Sequence, residues 1–146
     1  MGIERGITER LNAVSGVTTL TGTRIYANTL ANDALDVANT GSAIVYQLIS
    51  DIPFDSILGS DGGKFVARIQ LTLYAISTFQ RWQLSQGVKG ALQRFKGIVG
   101  DITILDSRIE SIHDLNYDQE SDTFNQATVT QAAGVSRIMD FIIYYE

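Results

Sequence analysis

The chain has no cysteine, a single proline, a single histidine and fewer basic than acidic residues. Without cysteine there are no disulfides, thiol nucleophiles or thiolate metal sites, which fits a protein made in a reducing cytoplasm. One histidine, His113, excludes a His-rich metal site. Eleven Lys and Arg against 16 Asp and Glu leave a formal charge of −5, so the chain lacks the basic surface by which duplex-binding proteins pair with phosphates. Long apolar runs are missing too. No segment approaches the roughly 20 apolar residues that cross a bilayer, and the C-terminal FIIYY is far too short. MGIERGITERLN carries charges where a signal peptide needs its apolar stretch. The expectation is a soluble protein, not secreted by that route, and its 146 residues suit one domain spanning 1–146.

What is present is a strand and helix pattern. AIVYQLIS from Ala43 and GKFVARIQLTLYAI up to Ile76 read as two strands around a polar turn with Asp61, Gly62 and Gly63, an antiparallel hairpin. From Thr78 to Phe95, Phe79, Trp82, Leu84, Val88, Ala91, Leu92 and Phe95 recur at helical spacing and predict an apolar stripe lying across that hairpin. On this reading Trp82 belongs to the core. Ile3, Ile7, Leu11 and Val14 predict a short helix over 3–14, and GTRIY from Gly22 reads as a short strand. The polar stretches 28–42 and 116–133 read as long loops that order against a partner.

Two later segments read as strands. In DITILDSRIESIHDL, Asp101 to Leu115, the apolar phase shifts after Ile104, which predicts a bulge near Leu105. In GVSRIMDFIIYYE, Met139, Phe141, Ile143 and Tyr145 point one way and Ile138, Ile142 and Tyr144 the other. Such a strand is either central and covered or half of an interface. The order helix, strands, helix, strands gives an α+β fold: a mostly antiparallel four- to five-stranded sheet, a long helix over 78–96 packed on one face, and a short N-terminal helix.

The chemical motifs fail on inspection. Glu110 and His113 have the Glu-x-x-His spacing, but that spacing joins two ligands only on a helix. Asp118, Glu120 and Asp122 alternate as in a calcium loop, yet Thr123 stands where glycine is needed and Val129 where glutamate is. Gly62, Gly63 and Lys64 lack the rest of a phosphate loop, and no nucleophile elbow is present. The expectation is a protein with no catalytic residues, no cofactor and no metal.

Charge is distributed in blocks. Residues 78–97 hold Arg81, Lys89, Arg94 and Lys96 and no acid, while 101–122 holds Asp101, Asp106, Glu110, Asp114, Asp118, Glu120 and Asp122 with one base, Arg108. Singly these are ordinary solvated side chains. As opposed blocks they suit complementary surfaces of neighbouring copies. The expected oligomer interface is Arg81, Lys89, Arg94, Lys96, Ile142 and Tyr144, and the expected acidic lumen or interface is Asp106, Glu110, Asp114, Asp118, Glu120 and Asp122.

Val45, Tyr46, Gln47 and Ser50, followed by Arg68, Ile69, Gln70, Leu71 and Tyr74, then a helix ending QRFKG and two more strands, resemble the tail completion or tail terminator proteins of long-tailed bacteriophages over nearly the whole chain. The family often has a proline before its VYQ-like strand, where this chain has Ser42 and Ala43. The resemblance implies a structural virion protein of the tail–neck region, made in the bacterial host. It implies a ring, usually sixfold, that caps the tail tube, stops its growth and joins it to the neck. Its partners would be copies of itself, the tail tube protein and a neck or head-completion protein, with DNA only as passing cargo and no membrane. A like-charged wall keeps passing DNA from sticking. The alternative is a head-completion adaptor between portal and tail; a small-ligand binder or enzyme fits less well.

Overall fold

A computed structural model describes residues 2–22, 24–28, 42–53, 63–75, 77–116 and 135–146. At the N-terminus, Ile3, Ile7 and Leu11 recur every four residues, a row that α1 (Ile3–Asn12) buries. A second helix, α2 (Ser15–Thr21), buries Val17 and Thr21. Its serine, glycine and threonines are poor helix formers, so packing rather than propensity holds it. Then comes β1 (Ile25–Ala27), a three-residue strand. It runs parallel to β2 (Ala43–Pro53), with Ile25 beside Ile44 and Ala27 beside Tyr46. Beyond Tyr46, β2 is the sheet edge among the described residues, the kind of strand, here at its last residue Pro53, in which proline is tolerated.

β3 (Phe65–Ala75) pairs antiparallel with β2. After it, the Ser77 hydroxyl accepts a bond from the Gln80 N–H at 3.2 Å and caps α3 (Thr78–Leu92). That helix stops because Gln93 turns extended and Arg94 takes a left-handed φ of 58°. The chain continues through β4 (Gly97–Val99), β5 (Ile102–Asn116) and β6 (Val135–Tyr145). The sheet order is β1-β2-β3-β6-β5-β4.

The expected four- or five-stranded sheet beneath one long helix is corrected: the structure has a curled, mixed six-stranded sheet with three short helices among the described residues. The short strand expected at Gly22–Tyr26 is present as β1, shifted to Ile25–Ala27, whereas β4, with three residues, is too short to show an alternation. β4 is also bracketed by Gly97 and Gly100, both at positive φ. The expected bulge is present, with the register shifting between Ile104 and Asp106, and a second shift falls between Ile109 and Ser111. The loops expected at 28–42 and 116–133 and the turn at Asp61 and Gly62 fall mostly or wholly outside the described residues.

All three helices contribute to one core on one sheet face. It joins Ile3, Ile7, Leu11, Val17, Leu84, Val88 and Leu92 to Ile44, Ile69, Leu71, Leu73, Met139, Phe141 and Ile143. Each such side chain contributes about 1.5–3 kcal/mol through burial. The apolar stripe of α3 is not the one expected. Its buried row is Arg81, Leu84, Ser85, Val88, Ala91 and Leu92, whereas Phe79 and Trp82 are 65% and 52% exposed. Helical spacing fits both rows at their shared C-terminal half; in the first turns the sheet takes Arg81 because polar partners await it there.

Candidate functional site

At the N-terminal half of α3 the core gives way to a polar cluster. Arg137 on β6 and Asp114 on β5 are directly paired in register. Arg137 donates from Nε to Asp114 Oδ1 at 2.5 Å and from Nη2 to Oδ2 at 3.0 Å, and its Nη1 reaches Ser85 Oγ at 2.8 Å. Arg81 approaches the same carboxylate at 3.8 Å and donates to the Ser136 carbonyl at 3.4 Å. The hydrogen bonds from Arg137, opposed by partial burial and aided by the charges of Arg137 and Arg81, hold the Asp114 carboxyl below its ordinary range. The same bonds raise Arg137. Two guanidinium groups thus share one carboxylate, and the cluster ties α3 to the β5–β6 pair.

The opposite sheet face has no helix on it among the described residues. Register places Arg68 opposite Ile142 and Thr72 opposite Ile138, with Asp106 opposite Tyr144 and Arg108 opposite Ile142. Ile138, Ile142 and Tyr144 are therefore half-buried on a central strand, on the uncovered face. Arg68 pairs with Glu110. Arg108 donates to Tyr144 Oη at 3.1 Å, with its guanidinium 5.5 Å from the ring centre. Asp106 accepts from Arg94 at 2.9 Å, with Arg108 at 3.8 Å.

These contacts redistribute the charge blocks. Asp106, Glu110 and Asp114 each face an arginine of their own subunit. Arg81 is buried and Arg94 is exposed but paired. Lys89 and Lys96 have no ion-pair partner among the described residues, and Lys96 is exposed. Asp118, Glu120 and Asp122 lie outside the described residues. His113 is exposed on β5, and among the described residues no group of three or more His, Asp or Glu side chains is placed to hold a metal ion. No described helix is long and apolar enough to cross a membrane.

A feature that the sequence reading missed is a groove between α2 and α3. Trp82 lines it and stacks on Phe79 with ring centres 6.2 Å apart. Leu20, Thr19, Trp82, Gln83 and Gln86 line a hollow of about 510 Å³. The two helices cross where Gly87 meets Gly16. The available signal was the pairing of Phe79 and Trp82 at i, i+3 beside Gln83 and Gln86, a row distinct from the aliphatic one.

No family model and no curated protein matches the chain. Among solved structures, a chain of the "Virion of native gene transfer agent (GTA) particle" aligns with a TM-score of 0.65 over 99% of this chain and 94% of that one, at 13% identity. The two chains share a fold from end to end.

Proposed function

We propose that this chain is a structural protein of a phage-like virion, and that it forms the ring that caps the tail tube, ends its polymerisation and joins it to the neck. The observation that carries this reading is the shared fold with a virion chain over almost the full length of both. The order of VYQ-like strand, ARIQL strand, helix and closing strands supports the tail-terminator assignment within it. A ring of identical subunits needs two different surfaces on each copy that are complementary to one another, and the uncovered face with Ile142 and Tyr144 serves as one contact surface for a neighbour or the adjoining ring.

Depleting the protein in cells that make the particles tests the assignment. The expected result is tails of unregulated length that do not join heads, with the protein labelled at the head-proximal tail end in complete particles. Tails of normal length, with the label on filled heads, would instead identify a head-completion adaptor.

A further inference from the structure

The hollow between α2 and α3, about 510 Å³ in volume, has the size of a small-ligand site, which runs from about 300 to 1,000 Å³. Its side chains are Ser15, Thr19 and Leu20 from α2 and Trp82, Gln83 and Gln86 from α3, and none of them is charged. Arg24, near Leu20 in the chain, already donates to the Leu20 and Ser42 carbonyls at 3.0 Å each. Ser15, Thr19 and Gln86 are exposed and Gln83 is half-buried. The side chains of these four make no hydrogen bond to any described residue, and each can both donate and accept. Trp82 is the only tryptophan of the chain and is 52% exposed. Its stack on Phe79 restricts the orientations open to the indole. Where the helices cross, the Gly16 and Gly87 backbones meet, so no side chain rises from the groove at that point.

We propose that this hollow is a binding site for a neutral saccharide, with one sugar ring lying on Trp82 and its hydroxyls held by Gln83 and Gln86. The lining selects the ligand by elimination. A phosphate, a nucleic acid or an acidic peptide finds no cation in it, and an amine finds no anion. An aliphatic ligand would cover the indole but strip water from two carboxamides and return nothing. A proline-rich peptide also lies well on an indole, yet its prolines bring carbonyl acceptors and no N–H donors, which leaves the glutamine oxygens unmatched. A sugar ring answers both parts of the lining. The C–H groups of one face pack on the aromatic ring, while hydroxyls around its edge donate to a carboxamide oxygen and accept from its NH2 together. The site does not depend on whether the chain forms a ring.

A single tryptophan makes binding directly readable. Maltotriose, cellotriose, mannotriose and triacetylchitotriose are titrated into the full chain while Trp82 emission is followed. At least one should give a saturable change whose midpoint does not move with added salt, because no charge takes part. Joint substitution Gln83→Leu and Gln86→Leu keeps the indole and removes both carboxamides; it should weaken that sugar at least tenfold with the melting temperature unchanged or raised. As an independent readout, saturation-transfer NMR on the sugar protons should show binding retained in part by Trp82→Phe and lost in Trp82→Ala. Silence with all four sugars into the tens of millimolar would overturn the proposal. A response to octaproline without one to any sugar would also overturn it, in favour of a peptide site. So would a sugar response that survives the double leucine variant or Trp82→Ala, since the sugar would then sit elsewhere.

Discussion

Gly87 and Gly16 touch through their backbones: a Cβ on Gly87 would stand 2.4 Å from the Gly16 carbonyl oxygen. Only glycine at position 87 lets α3 approach α2 this closely. Gly87→Ala should gain up to about 1 kcal/mol of helix propensity and lose about 1–3 kcal/mol because the obstructing atom is backbone and cannot rotate away. The steric term wins, so the urea midpoint should fall. Gly90, on the same helix, has nothing within 4 Å of a Cβ, and Gly90→Ala should raise the midpoint, by about 0.5–1 kcal/mol. Two alanines acting in the same direction would contradict the close crossing.

Asp114 holds two cations, so its loss should be felt more than that of a surface ion pair. The Arg81 and Arg137 side chains are only 8% and 17% exposed, and removing a charged partner from such groups costs about 1–3 kcal/mol. Asp114→Ala should therefore destabilise by that amount. The folded-state pKa of Asp114 is depressed below 3.8, so its stabilisation is present above that value and fades as pH falls through the folded pKa. Chemical denaturation from pH 6 down to 2 should show a shallower loss of stability in Asp114→Asn than in the parent chain. Parallel curves would show that the carboxylate's charge is not what holds the cluster.

The legible parts of the fold were those where one periodicity faced no competitor. β3 alternates cleanly, and the phase slip after Ile104 located a bulge because a one-residue insertion reverses every later side chain. The strand β4 was hidden by length alone. The α3 stripe misled because two rows of the helix are apolar: the sheet buries the Leu84–Val88 row, while Phe79 and Trp82 face outward beside α2. Charge was legible as blocks but not as pairs, since the arginines that neutralise Glu110 and Asp114 come from β3 and β6, distant in sequence and adjacent only after the strands align.

Arg94 and Lys96 now have separable roles. Arg94 holds a left-handed φ and donates to Asp106 within its own subunit, whereas Lys96 is exposed with no ion-pair partner among the described residues. Arg94→Gly should be neutral or stabilising by up to about 1 kcal/mol, because relief of the positive φ offsets an exposed ion pair of small worth. Lys96→Glu should leave the melting temperature unchanged and, if Lys96 meets a neighbour's carboxylate, make ring assembly weaker and less impaired by salt. Unchanged assembly across salt concentrations would leave Lys96 as a solvated side chain.

Tyr145 ends the central strand with its ring stacked on Phe65, centres 5.4 Å apart, and its hydroxyl donating to Asp51 Oδ2 at 2.6 Å. Burial first, and then the hydrogen bond and charge of Asp51, push the phenol well above its ordinary value of 10.0. A group whose folded pKa is raised stabilises the fold fully below its unfolded pKa, and that contribution is lost as pH rises through the folded one. The protein should therefore lose stability progressively above about pH 10. Tyr145→Phe keeps the stacked ring and removes the ionisable hydroxyl. It should cost about 0.5–1.5 kcal/mol at neutral pH for the lost hydrogen bond, and the difference from the parent chain should shrink as pH rises above 10. Denaturant titrations at pH 7, 9, 10 and 11 measure both effects, and a difference that stays constant across the series would show that the Tyr145 hydroxyl is not buried against Asp51.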